Sequence, residues 1–339
     1  MDEEILNESI WDKFKRLFDD IDKYIVKNPS WWIIIKITLD FLWEKLVYRN
    51  ELIDYIQYRF YFKKRVERRR FITRGRLVKI IRQCNSPEAR HVFDYKPLFH
   101  NKYKDLLGRD FLDAREASME EVIAFLRLHK RVMGKKPDGM FGKGICEFVA
   151  DNTNNDIKIA EDIMQKGLLL EEFLIQHEDL AKFNASSTNS LRVVTFITAN
   201  GEVKIMAAVL RVGRAGRIAD NFHHEGIAAL VSIESGIVYT VGVDRSFNRY
   251  ILHPDSKKQI VGFRVPKWQE IIEFVKMAAE RQPDLRYVGW DLTICSDGRI
   301  VLIEGNPGAD ADVTQIPDQM GKWPLYQPLL EELKDIQRR

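Results

Sequence analysis

The segment from Gly289 to Asn306 constrains the fold of this chain more than any other part of its sequence. Asp297-Gly298 lies between two runs of alternating apolar residues, and this arrangement is typical of a β-hairpin closed by a two-residue turn. In that register Asp291 lies directly opposite Glu304, and Asn306 points to the same face two residues further along. The other face is apolar, and it pairs Leu292 with Ile303 and Ile294 with Val301.

The polar face of this hairpin predicts a site for a divalent cation. Two carboxylates that face each other across a strand pair repel unless a cation or a proton lies between them. Carboxylate and amide oxygens suit Mg²⁺, which usually completes its coordination shell with water and phosphate oxygens. Glu304 is followed by Gly-Asn-Pro-Gly, a turn that brings backbone close to a ligand. We therefore expect a magnesium–nucleotide site here, and the alternative is a surface hairpin with two solvated acids.

Composition is that of an ordinary globular protein. The 339 residues are 45% hydrophobic and 30% charged, which suits a large core and two or three domains. Three scattered cysteines, Cys84, Cys146 and Cys295, suit neither a zinc cluster nor a disulfide framework and favour a reducing, cytoplasmic setting. The acidic N-terminus lacks the pattern of a signal peptide, and no run of about 20 apolar residues predicts a membrane span.

Residues 1–90 differ from the remainder in charge and hydrophobicity. They hold 20 Lys/Arg and 14 Asp/Glu, a net charge of +6, and the basic residues are densest in Lys63–Arg76. This stretch predicts either a solvated helical face or contact with an anionic partner. The segment Trp31–Val47 is unusually apolar and predicts a helix packed on the core or, alternatively, an interfacial helix on a membrane. In the second case residues 31–76 would provide a peripheral membrane contact, whereas nucleic acid is not an expected partner.

Hydrophobic periodicity predicts a mixture of helices and antiparallel strands. Residues 10–70 are expected to be mainly helical, and residues 119–131 and 266–281 are expected to form two amphipathic helices. Residues 191–252 alternate in the manner of β-strands. Because helices and strands are mixed rather than strictly alternating, the pattern indicates the α+β class.

The stretch Lys135–Ile145 is a candidate for phosphate binding. Its glycines, Gly139, Gly142 and Gly144, allow backbone amides to approach an anion, and lysines on both sides supply positive charge. It matches neither the P-loop nor the Rossmann fingerprint. Taken alone, it is also compatible with a surface turn.

The stretch Gly167–Glu178 is a candidate for nucleoside binding. An apolar strand ends in two glutamates and is followed, after a short linker, by another acid. Backbone groups and Glu171 would face an adenine edge, and Glu178 would reach ribose hydroxyls. The alternative is a strand end that carries surface charges.

The order of these segments resembles the ATP-grasp superfamily, and most closely its sugar-transfer-associated group. The likeness covers residues 90–330 and is carried by KPDGMFGKGI, EEFLIQHEDLAKFN, NSLRVVTF, LRVGRAGRIADNFHHEGI, HPD and VGWDLTICSDGRIVLIEGNPG. It implies an ATP-grasp fold in which two α+β subdomains, residues 91–180 and 181–339, grip ATP. Residues 1–90 would form a mainly helical extension that the resemblance does not explain.

The resemblance also implies a role for each candidate residue. The phosphates would bind Lys136, Gly139, Gly142, Lys143 and Gly144; the adenine would bind Glu171, Glu172 and Leu174; and the ribose would bind Glu178. Arg192 and Arg211 would stabilise the reacting phosphate and its acceptor, while Asp291, Glu304 and Asn306 would hold Mg²⁺. Groups of these kinds neutralise charge as a phosphoryl group moves, so Lys136, Arg192 and Arg211 are the expected catalytic residues.

The activity implied by the resemblance is ATP-dependent ligation. A carboxylate would attack the γ-phosphate to give an acyl phosphate and ADP, and an amine or another nucleophile would then displace phosphate. The group's name suggests small-molecule substrates, sugar-linked ones among them, from sugar or cell-surface polymer metabolism. Two alternatives stay open: a small-molecule kinase of the same fold, and a non-catalytic protein that binds nucleotides or polyanions.

One loop departs from the family pattern. Related proteins often have a glycine pair where this chain has His223-His224-Glu225-Gly226, so the shape of the acceptor pocket is left open. These histidines either touch substrate or are structural. Four further polar residues are candidates without an assigned role: Asp94, Lys96, Arg214 and His253.

Overall fold

The computed structural model describes residues 10–139, 144–216, 222 and 226–337. The first part of the chain is helical, as predicted, and comprises α1 (Ile10–Tyr24), α2 (Trp31–Tyr48), α3 (Leu52–Gln57), α4 (Arg65–Arg68), α5 (Arg74–Cys84), α6 (Pro87–Asp94) and α7 (Lys96–Lys102). Local signals set several boundaries: α6, for example, begins at Ser86, whose side chain accepts the backbone N–H of Ala89. Among the described helices, none is long and apolar enough to cross a bilayer.

A four-stranded antiparallel sheet follows. Its strands are β1 (Phe111–Asp113), β2 (Arg131–Lys135), β3 (Cys146–Val149) and β4 (Leu169–Glu172), in the order β1-β4-β2-β3. Two helices, α8 (Met119–His129) and α9 (Asn155–Lys166), form an apolar core with one face of this sheet. Helix α8 begins with a capping box between Ser118 and Glu121 and ends before Lys130, whose φ is +61°. The helix predicted over residues 119–131 therefore stops early, and Arg131 already belongs to β2.

A seven-stranded antiparallel sheet forms the second half of the fold. Its strands are β5 (Ser190–Ile197), β6 (Val203–Val212), β7 (Ile227–Leu230), β8 (Gly242–Val243), β9 (Arg249–Tyr250), β10 (Tyr287–Ile294) and β11 (Ile300–Asn306), in the order β11-β10-β5-β6-β7-β8-β9. The accompanying helices are α10 (Glu178–Ala181), α11 (Trp268–Glu280) and α12 (Trp323–Gln337). The α+β class and the helical N-terminal region are thus confirmed, and the division of the chain at residues 90 and 180 stays a prediction.

The two faces of the second sheet pack against different partners. Side chains alternate between the two faces along β6, so Ala208 and Leu210 lie in the apolar cluster that contains α11 residues such as Ile271. The intervening Val209 belongs instead to a cluster with Phe41 and other residues of the N-terminal helices. The N-terminal helices therefore cover one face of the sheet and are integral to its core.

The predicted hairpin exists as β10 and β11, and its functional end has the predicted register. Asp291 is paired with Glu304, and Gly289 is paired with Asn306. Nearer the turn the register shifts by one residue between Asp291 and Leu292. The predicted apolar pairs are therefore wrong, because the observed pairs are Leu292 with Leu302 and Ile294 with Ile300.

A longer turn explains this difference. The loop holds three residues between Cys295 and Arg299 instead of two, since the amide of Cys295 donates to the carbonyl of Arg299 at 2.9 Å. Gly298 takes the left-handed conformation, with φ of +85°, that such a loop requires. The extra loop residue displaces the pairing by one position, and a bulge at Ile303 restores it before Glu304. The Asp-Gly signal located the hairpin correctly but gave the wrong loop length.

Candidate active site

Four of the predicted side chains meet on adjacent strands of the second sheet. Strand β10 lies between β11 and β5, so Asp291 has Glu304 on one side and Arg192 on the other. Arg192 Nη2 lies 2.7 Å from Asp291 Oδ2, and Arg192 Nε contacts the other carboxylate oxygen. Arg211 reaches the same carboxylate from β6, with its Nη1 2.8 Å from Oδ2. The result is one buried carboxylate, 3% exposed, held by two guanidinium groups.

The pKa values of the paired acids move in opposite directions. Burial alone would raise the pKa of Asp291, but Arg192 and Arg211 hold it well below its usual range. The surrounding protein raises the pKa of Glu304 by reducing its hydration, and the negative charge of Asp291 raises it further. Because Glu304 is exposed on β11, it is the acid of the pair that a cation can reach from solvent.

The donor set beside Glu304 fits magnesium. Asn306 Nδ2 lies 3.1 Å from Glu304 Oε1, so the carboxylate and the amide are side by side on β11. With Asp291 they supply three oxygen donors of the kind that Mg²⁺ prefers. Both oxygens of Asp291 are engaged by arginines, so Asp291 would have to share an oxygen or release one guanidinium when a metal binds.

Close packing at Gly289 fixes the position of Arg192. A Cβ atom at this glycine would lie 2.8 Å from Arg192 Cδ and 2.6 Å from the Cβ of Ala309. Both distances are shorter than ordinary van der Waals contacts, so only glycine leaves room for the arginine stem at this position.

A second charged cluster lies on β4 of the first sheet and is centred on Glu171, which is 4% exposed. Its carboxylate is contacted by His100 Nε2 at 2.9 Å, Arg109 Nε at 2.8 Å and Lys135 Nζ at 2.7 Å. Burial would raise the pKa of Glu171, yet Arg109 and Lys135, helped by the hydrogen bond from His100, hold it well below its usual range. The carboxylate of Glu171, which the sequence predicted to meet adenine, is thus buried and bonded to Arg109, Lys135 and His100, and it holds these side chains in place.

Lys135 and Lys136 point in different directions at the end of β2. Val132 belongs to the core formed with α8 and α9, and a Cβ at Gly134 would meet Phe148 and Leu168 on the same side. Residue alternation therefore directs Lys135 to the other face, where it contacts Glu171, while Lys136 is exposed. The sequence interpretation chose Lys136 and missed Lys135, although the strand period gives a signal for it.

Lys96 connects the glycine-rich loop to the space between the sheets. Its backbone N–H donates to the carbonyl of Pro137 at 3.1 Å, and its Nζ donates to the carbonyl of Gly139. Burial lowers the pKa of Lys96, whereas Glu304 of the second sheet and Glu171 of the first raise it. Lys96 therefore interacts electrostatically with both charged clusters. The sequence alone gave it no role.

The other residues predicted to bind the nucleotide differ in their orientation and exposure. Glu172 points away from Glu171 and pairs with Arg299 Nη2 at 3.1 Å, so only its backbone is available on the Glu171 side. Leu174 is half-buried, and Glu178 is exposed at the start of α10. Gly144 lies beside the Lys136 side chain. Gly142 and Lys143 lie outside the described residues, as do His223 and His224.

Of the remaining candidates, two contact other residues of the chain and one is exposed to solvent. Arg214 Nε pairs with Asp255 at 2.9 Å. His253 is buried, and its Nε2 lies 3.0 Å from the carbonyl of Gly213. Asp94 is exposed at the end of α6.

Comparison with protein families gives one match. A family model described as sugar-transfer associated ATP-grasp matches residues 81–329, which is more than half of the chain. A search of curated proteins gives no match to the chain.

Several solved ligases and synthetases are similar to this chain at low sequence identity. The ATP-grasp ligase PsnB in complex with a minimal precursor is 16% identical, with a TM-score of 0.47 over 74% of this chain and 64% of PsnB. The ADP complex of purK, an N5-carboxyaminoimidazole ribonucleotide synthetase, is 14% identical, with a TM-score of 0.42 over 66% of this chain and 46% of purK. D-alanyl-alanine synthetase A from Vibrio cholerae is 13% identical, with a TM-score of 0.44 over 73% of this chain and 68% of the synthetase. This chain thus spans less than two thirds of the length of PsnB.

Proposed function

Because the chain belongs to the sugar-transfer-associated ATP-grasp family, we propose that it is an ATP-dependent ligase that activates a carboxylate as an acyl phosphate. A substrate carboxylate oxygen forms a bond to the γ-phosphorus as the bond from that phosphorus to the β-bridging oxygen breaks, and ADP leaves. An amine or another nucleophile then attacks the acyl carbon and releases inorganic phosphate. We further propose that the substrates are small and include sugar-linked acids or acceptors.

The observation that carries this proposal is the charge arrangement around Asp291. The exposed Glu304 carboxylate and the two guanidinium groups of Arg192 and Arg211 surround one buried carboxylate on adjacent strands. Phosphoryl transfer needs positioned positive charge and metal ligands more than it needs covalent chemistry from the protein. This arrangement offers both within one face of the second sheet.

Each group has a proposed task in this reaction. Glu304, Asn306 and Asp291 would hold Mg²⁺, which when bound neutralises charge on the β- and γ-phosphates. Arg192 and Arg211 keep Asp291 ionised and supply hydrogen-bond donors to the transferring phosphoryl group.

The nucleotide would lie between the two sheets. Lys135 and Lys96 would face its phosphates, with the glycines of the loop covering them, while the backbone after Glu171 would meet the adenine and Glu178 the ribose. Glu171 is proposed as a positioning residue, because its carboxylate holds the Lys135 side chain at 2.7 Å.

Oxygen-isotope transfer provides the decisive experiment. Candidate acids labelled with ¹⁸O in the carboxylate are incubated with ATP, Mg²⁺ and candidate amines, and the products are analysed by mass spectrometry. The ligase transfers one labelled oxygen from the acid to inorganic phosphate, and hydroxylamine traps the acyl phosphate as a hydroxamate. A stable phosphate ester on an acceptor hydroxyl, formed without any amine, would instead identify a kinase and overturn the ligase assignment.

The binding-protein alternative makes a different prediction. Salt-sensitive binding of polyanions that survives Asp291→Asn and Glu304→Gln, together with an absence of ATP turnover under all acceptor conditions, would reject an enzyme. ATP turnover that both substitutions abolish locates the function at the hairpin.

A further inference from the structure

Helix α2 has an unusual distribution of side chains. Its buried residues are Ile37, Phe41 and Glu44, so its inward face includes a carboxylate. Eight large apolar residues of α2 are 44–81% exposed, and the eighth, Val47, lies beyond the edge of the solvent-facing side that the other seven share: Trp31, Trp32, Ile35, Leu39, Leu42, Trp43 and Leu46. A helix that packs on a core normally has the reverse pattern.

These seven residues form one continuous surface. At 3.6 residues per turn they fall within an arc of about 120° on the helix, and Lys36 and Lys45 lie at its two edges. Phe62 and Val66 lie close in sequence to Arg65, whose guanidinium contacts Trp43 of α2, and they are 57% and 74% exposed. We call these exposed residues of α2, with Phe62 and Val66, the α2 surface. Contiguous exposed apolar surface of this kind marks an interaction site in a soluble protein.

Positive charge surrounds the α2 surface. Residues 31–76 contain twelve Lys/Arg and five Asp/Glu. Lys64, Arg65, Arg69 and Arg70 are exposed, and the Arg65 guanidinium lies 4.7 Å from the ring centre of Trp43. The basic stretch is therefore in contact with the apolar residues, with its charges directed toward solvent.

Three of the five acids of the same segment turn inward, while Glu51 and Glu67 are exposed. Asp40 and Glu44 both pair with Arg68, at 2.8 Å and 2.9 Å, and Asp54 is only 2% exposed. This arrangement removes negative charge from the outer face, so the surface is more positive than the sequence composition alone indicates.

We propose that the α2 surface binds the headgroup region of an anionic lipid bilayer. Tryptophan side chains are favoured at the membrane–water interface, apolar side chains enter the acyl boundary, and Lys and Arg attract anionic headgroups. A second copy of the chain fits this surface less well, because a twofold interface would bring two strongly basic patches together. Lipid binding through this surface does not require the ligase activity.

Vesicle flotation of the full chain tests the proposal. Vesicles of phosphatidylcholine mixed with phosphatidylglycerol are expected to bind the chain at least ~10-fold more tightly than vesicles of phosphatidylcholine alone, and added salt should weaken binding. The triple substitution Trp32→Ser, Leu39→Ser and Leu46→Ser should reduce binding at least ~10-fold through the loss of buried apolar area. Substitution of Lys64→Gln with Arg65→Gln should reduce the preference for the anionic lipid.

A matched control uses exposed apolar residues outside the N-terminal region. Ile251→Ser, Met277→Ser and Leu325→Ser, at residues 61%, 49% and 53% exposed, should leave flotation unchanged. Quenching of tryptophan fluorescence by brominated lipid in the unsubstituted chain gives a readout that does not depend on how any variant folds.

Three outcomes would overturn the proposal. The first is an unsubstituted chain that neither floats with anionic vesicles nor shows quenching. The second is equal loss of flotation in the control variant. The third is a dimer in sedimentation that the triple substitution converts to a monomer, because the surface would then be covered by a second copy.

Discussion

The opposite orientations of Lys135 and Lys136 give the most specific test of the site. Replacement of Lys135 by Met removes an ammonium 2.7 Å from Glu171, where the two side chains are 17% and 5% exposed. A hydrogen bond to a charged group contributes about 1.5–3 kcal/mol, and Arg109 and His100 still hold Glu171, so we expect a loss of stability near the lower value. If Lys135 faces the phosphates, ATP affinity should also fall roughly 10- to 100-fold, or about 1.4–2.8 kcal/mol.

Lys136→Met is the matched control because its side chain is exposed and one position away. It should change the free energy of unfolding by less than about 0.5 kcal/mol and ATP affinity by less than about threefold. Calorimetric titration with Mg²⁺ and a non-hydrolysable ATP analogue measures affinity, and denaturant unfolding measures stability. If Lys136→Met weakens nucleotide binding as much as Lys135→Met does, the assignment from strand alternation is refuted and the original choice of Lys136 stands.

Three further predictions address other parts of the molecule. Glu304→Ala should reduce ATP turnover at least ~100-fold because it removes a metal ligand, and activity within a few-fold of the unsubstituted chain would reject that role. Gly289→Ala should displace Arg192 and reduce turnover roughly 10- to 100-fold, whereas Gly75→Ala, with no atom within 4 Å of the added Cβ, should not. Burial raises the pKa of Asp54 to about 6, so the folded state binds more protons than the unfolded state between pH 4 and 6. The chain should therefore lose stability as pH rises through that window, by about 2–3 kcal/mol in all, and Asp54→Asn should remove this pH dependence; thermal unfolding of both proteins at several pH values would show no such divergence if the sign is wrong.

Local patterns in the sequence were sufficient for elements whose signals lie within a few residues. The Asp297-Gly298 turn and the flanking alternation predicted a hairpin with Asp291 opposite Glu304, and the structure has that pair. They did not predict the three-residue loop or the bulge at Ile303, because both loop lengths satisfy the same Asp-Gly signal.

Contacts between distant segments were beyond the reach of sequence patterns. Nothing near Glu171 in sequence indicates that His100 and Arg109 contact it, and nothing near Asp291 indicates that two arginines neutralise it. Such contacts form only when segments far apart in the chain become neighbours in the fold.

The sequence by itself determined the α+β class, the resemblance to the ATP-grasp superfamily and the acids of the hairpin, because turn chemistry and residue period act locally. Tertiary structure alone decided which side chains surround Glu171 and Asp291 and which side of α2 faces solvent. The physical reason is that the partners of a side chain depend on the segments packed against it, and those segments can be distant in the sequence.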